Sequence, residues 1–184
     1  GRAHRLLVRD TLIDLHNDLA WELRTRHPNV DLRMNLSGAT SLDSDFVRLR
    51  QGGVKGQFWS AWVPCHPVQL ATESMMEQID LIRRLTQVYS KETTLCRTAA
   101  DAAKAWKEQR IASFIGMEGG HALNGSKALL REFRAMGVTY MTLTHTCSVS
   151  WAESSVNEGK ADDDRVAPFA FQRGLNRTFG REMI

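Results

Sequence analysis

The 184-residue sequence predicts an α/β fold built on a parallel sheet. Four short runs rich in apolar, aromatic or β-branched residues are set off by glycine or polar breakers, as strands are. Between them, apolar residues recur at three- and four-residue spacing, as one buried helix face requires. The two patterns alternate, and strand–helix–strand order builds parallel βαβ units.

The elements follow in order. Thr11–Leu15 is the first predicted strand, short and apolar. The second runs from Lys55 to about Val63 after the breaker Gly52-Gly53. Leu70, Met75, Ile79, Ile82, Leu85 and Val88 then share one helical face, and a second helix covers Ala99 to Gln109. The third strand is Ile111–Met117, ending at Gly119-Gly120. Ser126–Met136 forms a third helix, with Leu129, Leu130, Phe133 and Met136 on one face and Gly137 as its stop. Val138–Leu143 is the fourth strand. This order suits an open doubly wound sheet or part of a (β/α)8 barrel. Four strands cannot close an eight-stranded barrel, so the barrel reading expects more chain.

Composition narrows the function classes. A content of 42% apolar and 24% charged residues is that of a soluble globular protein. No run approaches the roughly 18 apolar residues of a membrane span, and Leu6–Val8 is too short for a signal-peptide core. Net charge is +3 with no basic cluster, which argues against a nucleic-acid partner. Because the chain starts at Gly1 and stops on apolar residues, it is expected to be a piece of a longer protein.

The three cysteines, Cys65, Cys96 and Cys147, make no C-x-x-C. Sequons at Asn35, Asn124 and Asn176 permit glycosylation without demonstrating it. Ser60, Ser150, Ser154 and Ser155 lack a nucleophile-elbow setting. No glycine-rich phosphate fingerprint follows strand one, so no nucleotide cofactor is expected. Phe58, Trp59 and Trp62 read as core, and Asp162–Asp164 as a solvated loop.

Residues with chemical potential fall just past strand ends: His16 and Asp18 after the first, Glu118 after the third, His145 after the fourth. In parallel α/β folds the C-terminal ends of the strands carry the active site, because their loops converge there. If strand one continues through His16-Asn17-Asp18, its two-residue period puts both side chains on one face, able to share a metal. Alone, the tripeptide fits a structural histidine beside an Asn-Asp turn better than a metal ligand. Glu118 is either a surface turn acid or a paired carboxylate, since burying it unpaired costs several kcal/mol. His145 is either tied to a loop carbonyl or a donor to a developing oxyanion. His121 reads as a local hydrogen-bonding residue. Cys65 and Cys147 both lie at the same mouth of the sheet, so they are either free or paired.

Five segments taken together resemble the membrane (renal-type) dipeptidases, peptidase family M19 of the amidohydrolase superfamily. They are Ile13–Trp21, Gly56–Ser60, Gln78-Ile79-Asp80, Ile115–His121 and Tyr140–Cys147, followed by Trp151-Ala152-Glu153. The resemblance spans about residues 11 to 155. It implies a (β/α)8 TIM barrel, of which residues 1–184 are the N-terminal portion of a single domain, the C-terminal half being absent. It implies two zinc ions at the C-terminal mouth, with His16 and Asp18 as first-metal ligands and Glu118 bridging both metals. His145 would contact the scissile carbonyl, and Cys65 and Cys147 would form a disulfide.

The implied reaction is dipeptide hydrolysis, in which a metal-bridging hydroxide attacks a polarised peptide carbonyl and His145 steadies the oxyanion. The second zinc's histidines, an acid/base aspartate and a carboxylate-binding arginine would lie beyond residue 184. Relatives further imply an extracellular or membrane-anchored glycoprotein, possible as a homodimer, held by an anchor outside this chain. The competing expectation is a catalytically inactive, truncated dipeptidase-like protein that acts by binding.

Overall fold

A computed structural model describes residues 6, 10–26, 35–38, 42–65, 67, 70–157, 174–175 and 179–183. The acidic run Asp162–Asp164 and the sequon at Asn176 lie outside them. Five strands form one sheet: β1 (Leu12–Asp14), β2 (Val54–Trp62), β3 (Thr93–Leu95), β4 (Ile111–Glu118) and β5 (Val138–Met141). Every pairing is parallel, as the alternating strand–helix order requires. The helices are α1 (Leu19–Arg26), α2 (Phe46–Gln51), α3 (Ala71–Val88), α4 (Ala99–Lys107), α5 (Lys127–Met136) and α6 (Phe179–Glu182), with a short 3-10 turn at Gly120–Leu123.

β4 is the centre of the sheet. One of its edges pairs with β2 from Ala112 to Glu118. Its other edge is divided: β3 takes Ile111–Ser113, and β5 takes Ile115–Met117. The register sorts the side chains by parity. Phe58, Ser60, Trp62, Phe114 and Glu118 share one face, and Trp59, Ala61, Ile115 and Met117 share the other. The second set is fully buried beneath helices. On the first face Phe58 stacks on Phe114 with ring centroids 4.6 Å apart, and Tyr140 leans on Phe58 at 5.4 Å.

α3 buries Met75, Ile79, Ile82 and Leu85 as the spacing predicts, together with Gln78, but Leu70 and Val88, expected on the same face, are exposed because they stand at its two ends. Its Gln78 amide donates to the Trp62 carbonyl at 2.9 Å, which ties the helix to the end of β2. α5 is capped by Ser126, whose hydroxyl accepts from the Leu129 amide, and it stops at Gly137 with φ +116°. That left-handed conformation is cheap only for glycine, hence the stop.

α4 opens with a capping box between Thr98 and Asp101. Backbone bonding from Arg97, then the Thr98 side chain, holds the Asp101 carboxyl below its ordinary value of 3.8. A lowered folded-state value means the cap contributes fully above that pH and fades as acid titrates the carboxylate. Thr98→Ala is expected to cost about 1 kcal/mol, read by urea denaturation at neutral pH. A change under about 0.3 kcal/mol would show that the cap contributes nothing.

The sequence pattern and the structure differ at five elements. The first strand stops at Asp14, before His16, and the fourth stops at Met141. α1 and α2 were not foreseen, nor was β3, whose three residues are strand because β4 offers them an open lower edge. Cys96 is buried beside Ala102, Ala105 and Ala112, and burial pushes its thiol up to about 11. No described helix is long and apolar enough to cross a membrane.

Candidate metal centre

His16 and Asp18 reach the site from a loop, not from a strand. Past Asp14 the Ser60 amide still donates to the Asn17 carbonyl at 2.9 Å, one bond beyond the β1–β2 ladder. Asn17 turns the chain into α1: its side-chain oxygen accepts from the Leu19 amide at 3.0 Å, and its amide donates to the Ser44 hydroxyl at 3.1 Å. Held this way, His16 Nε2 lies 3.2 Å from Asp18 Oδ2.

Glu118 ends β4 on the same face as Ser60 and Trp62. Its Oε2 accepts from the Ser60 hydroxyl at 2.8 Å and lies 3.6 Å from His16 Nε2. Its Oε1 lies 3.3 Å from His145 Nε2. The two carboxylate oxygens are therefore divided, one toward His16 and one toward His145. Ligand atoms of His16, Asp18 and Glu118 all fall within 4.8 Å of one another.

His145 is oriented from its other ring nitrogen. The Trp62 indole N–H donates to His145 Nδ1 at 3.3 Å. An indole can only donate, so Nδ1 accepts and the neutral ring carries its proton on Nε2, toward Glu118. The loop is fixed by the Ser154 hydroxyl, which donates to the His145 carbonyl, and by the Gly119 amide donating to the Thr142 hydroxyl at 2.7 Å. The Cys65–Cys147 disulfide (S–S 2.06 Å) joins the loops after β2 and β5.

Tyr140 supplies the wall between the strands. Its hydroxyl donates to the Leu15 carbonyl at 3.1 Å, just before His16. To get there the ring crosses directly over Gly116, where any Cβ would sit 2.3 Å from Tyr140 Cζ. Burial, then the Glu118 and Asp18 carboxylates, push the phenol above its ordinary value of 10.0, so it stays a donor.

The site uses Ser60, Trp62, Asn17 and Tyr140, none of which the sequence reading singled out for it. Trp62, expected in the core, is half-buried and holds His145. Strand parity was the available signal, because Ser60 and Trp62 share the face of Glu118. Trp59 does lie in the core.

Residues 1–184 match the family described as Membrane dipeptidase (Peptidase family M19). The chain belongs to the M19 membrane dipeptidases. Among curated relatives, human Dipeptidase 3 is 46% identical over 160 residues, 84% of this chain and 31% of that protein. Dipeptidase 3 of Macaca fascicularis is 44% identical over 156 residues, with the same coverage. The chain thus spans about a third of the length of the relatives it matches.

Solved M19-type structures share the fold at low identity. The probable dipeptidase PvdM from Pseudomonas aeruginosa superposes with TM-score 0.70 at 17% identity, over 84% of this chain and 39% of that one. A metallopeptidase from Rhodobacter sphaeroides, solved with a phosphinate mimic of the dipeptide L-Ala-D-Ala, gives 0.68 at 19%, over 78% and 48%. The fold is a TIM-barrel type of which this chain covers part, and the M19 family is metal-dependent.

Proposed function

We propose that His16, Asp18 and Glu118 hold zinc, and that the protein containing this chain hydrolyses dipeptides. The observation that supports it is the convergence of three ligand atoms within 4.8 Å, from segments about 100 residues apart. An imidazole with two carboxylates suits a borderline divalent cation. Glu118, with one oxygen toward each histidine, has the arrangement a bridging carboxylate needs, so a second zinc on the His145 side fits this reading. Bound cations would supply Lewis acidity, which acidifies a water and polarises a carbonyl.

The chain's own groups do the rest. Ser60 fixes the rotation of the Glu118 carboxylate, and Trp62 fixes the tautomer of His145. The Nε2 proton of His145 then faces the centre, where it can donate to the oxyanion of a peptide carbonyl under attack. His145→Ala is expected to lower kcat by about 100- to 1,000-fold. Residues 1–184 fit as the N-terminal portion of a single barrel domain. The disulfide supports an extracellular or membrane-anchored site of action, where such bonds persist; glycosylation and a homodimer, as in relatives, belong to the same reading.

The test is dipeptide hydrolysis by the full-length protein, assayed as purified, after exhaustive chelation, and after zinc is restored. Loss and recovery in step with two zinc ions per chain is the expected result. Full activity in the metal-free protein would overturn the proposal. The inactive, binding-only alternative draws on the exposed apolar residues of the first strand segment, Leu12, Ile13 and Leu15. It predicts at most one weakly held metal and association that grows with concentration.

A further inference from the structure

The geometry points to a second metal site, a Cys2His set that stays closed while Cys65 and Cys147 are joined and opens when they are reduced. The two Sγ atoms and a ring nitrogen of His121 lie within 4.8 Å of one another. None of the three belongs to the centre of His16, Asp18 and Glu118. His121 is buried on the 3-10 turn after β4, and its Nε2 lies 3.2 Å from the carbonyl oxygen of Val63, two residues before Cys65. The imidazole is thus held against the segment that carries the first cysteine, and the disulfide brings the second to it from the loop after β5.

In the oxidised state neither sulfur offers a thiolate, so the set cannot bind. Reduction changes that with little movement. Zinc–thiolate bonds of about 2.3 Å in a tetrahedral site place two sulfurs about 3.8 Å apart. The Cα atoms are 6.0 Å apart, so side-chain rotation suffices. Cys65 is half-exposed, whereas Cys147 and His121 are buried, so a cation enters from the Cys65 side. Two thiolates and an imidazole form a softer set than the carboxylate centre and favour zinc or cobalt(II) with one open position.

The chemistry balances with a phosphine as reductant. The phosphine attacks one sulfur and breaks the S–S bond, water supplies the oxygen with which it leaves as phosphine oxide, and two thiols result. A divalent cation then displaces both thiol protons. Either way, disulfide or cation, the loops after β2 and β5 remain tied beside Trp62 and His145.

The test uses the full chain, reduced with a phosphine and titrated with cobalt(II) without oxygen, with far-ultraviolet circular dichroism confirming that it stays folded. One equivalent of sulfur-to-cobalt charge-transfer absorption is expected, absent before reduction. The carboxylate centre offers only oxygen and nitrogen and gives no such band. The band persists in Cys96→Ser, disappears in Cys147→Ser, and needs at least tenfold more cobalt in His121→Gln. On the unmutated reduced chain loaded with zinc, X-ray absorption should find two sulfurs at about 2.3 Å. No band after thiol titration confirms reduction, a band unchanged in His121→Gln, or a zinc shell free of sulfur would each overturn the proposal.

Discussion

If the proposed function holds, Glu118→Gln in the full-length protein is expected to lower kcat/KM for dipeptides by on the order of 10^4-fold, the scale seen when one member of an interdependent catalytic set is removed. The substitution keeps the shape of the side chain, and the Ser60 hydroxyl can still donate to the amide oxygen. It removes the negative charge and one of the two oxygens that face His16 and His145. Because packing is untouched, the thermal midpoint should move by no more than about 2 °C. Ser60→Ala separates the carboxylate from its support: the charge remains but its rotation is freed, and metal affinity should fall about 10- to 100-fold. Retention of activity within tenfold in Glu118→Gln would remove this carboxylate from the mechanism.

Trp59→Ala has the largest expected effect on stability, about 4 kcal/mol by urea denaturation. The indole is fully buried and meets Phe46 edge-on at a centroid distance of 6.2 Å. Its N–H donates to the Ser113 hydroxyl at 2.7 Å; Ser113 in turn contacts Thr93 Oγ1 at 2.5 Å, and Thr93 donates to the Ile111 carbonyl. This buried polar chain pins β2, β4 and β3 together across the helix-covered face. Trp59→Phe keeps most of the ring but leaves Ser113 short of a donor, and should cost about 1–3 kcal/mol. If both variants lose the same amount, the hydrogen bond carries no stability of its own.

Periodicity revealed the long elements because their packing repeats. α3 spends five turns on one face, and β4 is apolar on both sides of the sheet, so their patterns survive any local exception. β3 has three residues and no pattern; only its neighbour's unpaired edge makes Thr93–Leu95 a strand. α1 begins at Leu19, one residue after Asp18, so its start is hidden behind the His16-Asn17-Asp18 tripeptide. For the site, His16, Asp18, Glu118 and His145 were legible from their position after strand ends together with the family motifs. Ser60 and Trp62 were not, because a serine or tryptophan inside an apolar strand looks the same whether it faces helices or the mouth. Parity relative to Glu118 decides it, and parity requires the register. Tyr140 was hidden for the same reason, and Gly116 shows its purpose only once the phenol ring is seen to cross it.

The divided edge of β4 fixes the order in which the sheet comes apart. Among the described residues β1, β3 and β5 each pair along one side only, β1 with β2 and the other two with β4, so their amides can meet water by local fraying. β4 is bonded to β2 along its length and to β3 and β5 on the opposite side. No single neighbour can leave and uncover it. Its amides exchange with solvent only when the sheet opens as a whole, which makes Ala112–Glu118 the slowest-exchanging segment of the described sheet. Glu118 therefore stands at the end of the strand that dissolves last, while His16 and Asp18 follow one of the strands that can fray locally. Partial opening would dismantle the ligand set from the His16 side before any global unfolding is visible.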